Sequence, residues 1–149
     1  MTAVFDVLVG LHIACALVGF VTVGISGVYG FNAAGAGAAR QDEELRRYFA
    51  RPGRGELALL AVPFLGAAAL AVQPHGRGVV QLWTGLAATV WLVASALLVG
   101  VIRPAERRLA AATAAGDVPC PAGAVLGWGG VLTDLLFVAA LALMVWQPH

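Results

Sequence analysis

Few side chains in this apolar chain can do chemistry, and five of them lie inside long hydrophobic runs: His12, Cys15, Ser26, Tyr29 and Asp134. His12 and Cys15 stand three residues apart, on one helical face, where an imidazole beside a thiol forms half of a soft-metal or Cu(I) site. The other half is poorly supplied. Met144 lies near the end of the last run, while Met1, His75 and His149 lie outside the runs. A helix-facing histidine with a buried cysteine is more often a packing pair, so the pair assigns no metal. A b-type haem held by two histidines needs a second histidine within a run, and there is none.

Asp134 is the costliest of the five. It sits near the middle of the last run, where a lone carboxylate costs at least about 3 kcal/mol unless it is protonated or paired. If the first and last runs are neighbours, His12 can reach it directly or through water. Such a contact reads as a polar clasp between two helices or as part of a proton or ligand path. Elsewhere, Asp6 can reach water, and Glu56 opens the second run, where the helix dipole favours an acid. Glu106 beside Arg103 and Arg107 reads as a solvated helix surface. No P-loop, nucleophile elbow, HExxH or CxxC is present.

The elements that must position these residues are four apolar runs, at about 4–32, 56–73, 78–102 and 123–146. Roughly 20 apolar residues cross a bilayer, so each run can span, although the second is short and carries Pro63, which predicts a kink. Only 11% of the 149 residues are charged, against about 25% in a soluble domain. The expected fold is all-α: one domain over 1–149, a four-transmembrane-helix bundle. No positive leader precedes the first run, which is expected to remain as a span.

In the first loop, Gln41 to Ala50 alternates charge with Leu45, Tyr48 and Phe49, predicting a short amphipathic helix on the membrane surface. An Ala-rich helical continuation follows the third run to about Ala115. Arginines number five in the first loop, one in the second and three in the third. By the positive-inside rule the first and third loops are cytoplasmic and both termini external. Trp83 and Trp146 suit the outer aromatic belt, Trp128 the inner one, and Trp91 a packed position. Small residues form helix-packing stripes at Gly19, Gly24, Gly27 and Gly30 in the first run and at Gly127 and Gly130 in the last.

Nine arginines without a lysine, 19 glycines and abundant alanine fit a high-GC bacterial genome, hence a bacterial cytoplasmic (inner) membrane. The net charge of +1 excludes a phosphate track, so nucleic acid is not a partner. The expected partners are the lipid bilayer and other membrane subunits or further copies of the chain. Cys15 and Cys120 lie at different depths and are not expected to pair.

Leu11-His12-Ile13-Ala14 in the first run, and Ile102-Arg103-Pro104-Ala105-Glu106-Arg107-Arg108 closing the third, resemble an uncharacterised bacterial family of predicted small four-span integral membrane proteins. More distantly they resemble copper-resistance D-like membrane proteins. The first resemblance implies membrane location without an assigned activity or cofactor; the second implies metal handling through His12. From the sequence, the leading expectation is a non-enzymatic accessory or interaction subunit of a membrane complex. The rival is a small oligomeric transporter or metal- and proton-handling protein built on His12, Cys15 and Asp134.

Overall fold

The computed structural model describes residues 2–35, 42–50, 55–72 and 82–146, the side chains of residues 2, 42, 82, 83 and 145 excepted. The expected turn at 73–78 with His75, the side chain of Trp83, and Arg40, Arg51, Arg54 and Arg77 fall outside that description. The described chain is all-helical. Helix α1 covers Thr2–Ala34, α2 Asp42–Ala50, α3 Ala58–Val72, α4 Leu82–Leu97, α5 Arg103–Ala115 and α6 Pro121–Trp146. A 3-10 turn at Gly55–Leu57 leads into α3, and a π turn at Leu98–Ile102 joins α4 to α5.

Four stretches are long and apolar enough to cross a membrane: Ala3–Ala34, Gly55–Val72, Thr84–Ala115 and Pro121–Met144. That is the pattern of a multi-pass membrane protein arranged as a four-helix bundle. The third stretch runs on from α4 through α5 as one rod of 32 residues, about 48 Å at 1.5 Å per residue. Pro104 has no N–H to give, and the widened turn just before it, where Arg103 N–H donates to Leu98 O, absorbs the break. Gly116, at φ 78°, closes α5 in the left-handed conformation that glycine adopts without strain.

Helix α1 packs chiefly on α6 and α3, and α4 lies on α6. The large, fully buried side chains Leu45, Leu98, Ile102, Leu109, Leu126 and Val23 all gather toward the end of the bundle that carries α2. Leu45 and Phe49 of α2 belong to this core with Ala105 and Leu109 of α5. The apolar face of α2 is therefore covered by protein rather than resting free on a membrane surface, as its periodicity alone implied.

Backbone contact sets the α1–α6 register. Gly27 faces Gly130, and a Cβ added at Gly30 would stand 2.8 Å from Gly123 O and 2.9 Å from Gly127 N. Only glycine on both helices permits that approach. Gly19 instead faces Leu59 of α3.

Candidate functional site

The site begins with Pro63. A proline inside a helix cannot donate to the carbonyl four residues back, which here is Leu59 O. Trp91 of α4 supplies the missing donor, its indole Nε1–H reaching Leu59 O at 3.0 Å. One turn along α3, His12 Nδ1 lies 2.8 Å from Val62 O. A carbonyl can only accept, so Nδ1 carries the proton of that bond, and in the tautomer this selects Nε2 is the acceptor nitrogen. Gly66 makes room for the imidazole: a Cβ there would stand 3.2 Å from both Nδ1 and Cε1. His12 of α1 and Trp91 of α4 thus both hold the proline-bearing helix. Read from sequence, Trp91 was only a packing residue; Pro63, four positions beyond Leu59, was the available signal that a donor would be needed.

Beside these bonds lies a cavity of about 250 Å³ between α1, α3, α4 and α6. Its walls are almost wholly apolar and include Phe20, Trp91, Phe137, Ala140 and Met144 with His12. Phe20 and Phe137 meet edge to face at 6.2 Å, closing it on the side of the glycine seam. Ile13, Leu17, Val138 and Leu141 line it while remaining exposed, so its mouth opens between α1 and α6 on the apolar outer surface.

The five polar residues singled out by sequence do not form one cluster. Asp134 lies beside Gly24, where an added Cβ would stand 3.3 Å from its Oδ2. Gly24 is twelve residues from His12, about 18 Å along a helix, so the His12–Asp134 contact is not made. The glycine seam decides this: in its register His12 is level with the end of α6, where Met144 shares the cavity wall. Asp134 Oδ1 is buried without a hydrogen-bond partner among the described residues. Cys15 and Cys120 are free thiols. No group of three or more His, Cys, Asp or Glu side chains among the described residues could hold a metal ion.

Ser26 and Tyr29 turn toward α2. Ser26 Oγ and the Tyr48 hydroxyl are 2.8 Å apart, and the Tyr29 hydroxyl donates to Glu44 Oε1 at 3.0 Å. The two tyrosine rings stack at 4.0 Å. Burial pushes the Tyr48 hydroxyl above the ordinary tyrosine value, partly offset by its bond to Ser26. Nearby, Glu56 is only 4% exposed and its Oε1 lies 3.7 Å from Arg103 Nε. Glu106 is half-buried and approaches Ser26, so it is not the solvated surface group its neighbours in sequence suggested. The clue was positional: Glu56 and Arg103 sit at the same end of successive spans.

The chain matches no known protein family, no curated protein and no solved structure.

Proposed function

We propose that the chain is a non-enzymatic integral membrane subunit that contributes helices, rather than chemistry, to a larger assembly of other subunits or further copies. One observation carries this reading. His12, Ser26, Tyr29 and Trp91 are each engaged in a bond to another helix of the same chain, so the polar groups brace a scaffold and do not converge on a reacting centre. The arginine asymmetry between loops supports a bacterial cytoplasmic membrane, with α2 and α5 on the cytoplasmic side and both termini outside.

The test is purification in mild detergent with mass determination of the particle. The reading requires a stable particle larger than one chain; a lone monomer with a turnover activity would sink it. Reporter fusions after Ala115 and at the C-terminus test orientation separately. Cytoplasmic signal is expected at the first and not at the second.

Proton or ion handling is the second reading, favoured by Asp134 Oδ1, a buried acid oxygen without a partner among the described residues. Under it, Asp134→Asn abolishes function while expression and particle size stay normal. Under the subunit reading, loss of function tracks loss of assembly.

A further inference from the structure

The cavity beside His12 has a composition that selects a ligand. Its aromatic walls are Trp91, Phe20 and Phe137, and flat aromatic faces and edges favour a ring over a flexible acyl chain. Trp91 Nε1 is already engaged with Leu59 O, which removes one polar handle. His12 lays its Nδ1–Cε1 edge against α3, so Nε2 lies on the remaining side of the ring. Asp134 Oδ1 is the one buried side-chain polar atom without a partner among the described residues. Nε2, also without one, therefore keeps open surface. What the cavity offers is an apolar, aromatic-walled space with His12 on its wall, and in the neutral ring the bond on Nδ1 selects the tautomer that leaves Nε2 as the acceptor. Its size, about 250 Å³, admits one substituted six-membered ring. The mouth between Ile13, Leu17, Val138 and Leu141 opens on a surface that in a bilayer faces hydrocarbon, so the ligand enters from the lipid phase. An apolar cavity of this kind stays dry and gains by filling.

We propose that the His12 cavity binds a bilayer-dissolved phenol-type ring, seated among Trp91, Phe20 and Phe137 and donating its hydroxyl to His12 Nε2. A metal does not fit the same observations, since the second soft donor on the wall, Met144, has no further ligand beside it among the described residues. The site is independent of the subunit reading: a scaffold that holds such a ring and one that acts alone both keep it.

The test uses the full chain in lipid nanodiscs and equilibrium binding of labelled 2,3,5-trimethylphenol, with empty nanodiscs as background. The expected result is saturable binding at one ring per chain. The methyl ether of the same phenol, which cannot donate, binds about tenfold more weakly, the loss of one net hydrogen bond. Ala140→Phe fills the cavity from α6 and removes the saturable component. His12→Asn keeps an N–H for Val62 O but removes Nε2, and lowers phenol affinity to that of the ether. Equal binding of phenol and ether overturns the proposal, as does undiminished binding to a folded A140F protein. Displacement by the chain alcohol farnesol as readily as by unlabelled phenol overturns it too, because the occupant would then be an acyl-type chain. If H12N does not fold, the ether and A140F results decide alone.

Discussion

The pair α1 and α6 is built in two different ways along its length. From Gly27 to Ala33 the helices touch backbone to backbone, with Gly27 on Gly130 and Gly30 against Gly123 and Gly127. From Phe20 back to His12 the same helices are held apart by the Phe20–Phe137 pair, and a cavity of about 250 Å³ opens between them. Burial follows the division. The large, fully buried side chains lie with the first half and α2, while the second half buries mainly Ala69, Ala87, Ala94 and Val62. Hydropathy is high in both halves, so apolar character does not distinguish them. Side-chain size at the seam does: without a Cβ, dispersion contacts run between main chains, whereas an aromatic wedge leaves space that lipid or a ligand must fill.

The comparison breaks most visibly at Gly30. Replacing it with leucine drives a side chain into the backbone of α6, and overpacking of this kind costs about 3 kcal/mol or more. Gly10→Leu is the control, since nothing lies within 4 Å of a Cβ there. We expect thermal unfolding in detergent to show a large loss for G30L and none for G10L; equal midpoints would refute the tight seam.

The open half is stiffened instead by the bonds around Pro63. Trp91→Phe leaves Leu59 O without its donor and should cost about 2 kcal/mol. In a Pro63→Ala background the restored N–H can reach that carbonyl, and the same substitution should then cost well under half as much. Identical losses in both backgrounds, measured as a double-mutant cycle, would show that Trp91 does not answer the proline.

Smaller effects are expected where α2 joins the tight half. Tyr48→Phe removes the bond to Ser26, about 1 kcal/mol, and should speed hydrogen exchange of the α2 amides while leaving α4 unchanged. The pKa of Tyr48 is raised above 10.0 by burial, so the unfolded tyrosine ionises first. Its contribution is fully present below about pH 10 and is lost as pH climbs through the higher folded value. Exchange of α2 that begins to rise near neutral pH would contradict this.

The smallest change is expected at the boundary between the halves. Asp134→Asn should leave the unfolding midpoint within about 1 kcal/mol, because an amide keeps the size and polarity of the acid without its charge. A collapse of the fold would mean that the carboxyl has a partner the protein needs.

Much of the architecture was legible in the residues. Four apolar runs name four spans because hydropathy is a property of local composition, and Leu45, Tyr48 and Phe49 mark α2 through helical periodicity. Pro63 announced a carbonyl in need of another donor, and the glycines of the first and last runs announced a close approach. What no local pattern contained was the identity and register of neighbours. His12 and Asp134 are both polar groups within the apolar runs; the glycine seam fixes a register that sets Asp134 beside Gly24, twelve residues from His12 and about 18 Å along α1. Glu56 and Arg103 are 47 positions apart, and only the bundle makes them neighbours. The cavity is the clearest case. Its walls come from α1, α3, α4 and α6, with the Phe20–Phe137 pair on its lining. Sequence determined which segments leave water; only tertiary packing decided which faces touch, because contact energies depend on distances between residues that the chain order does not specify.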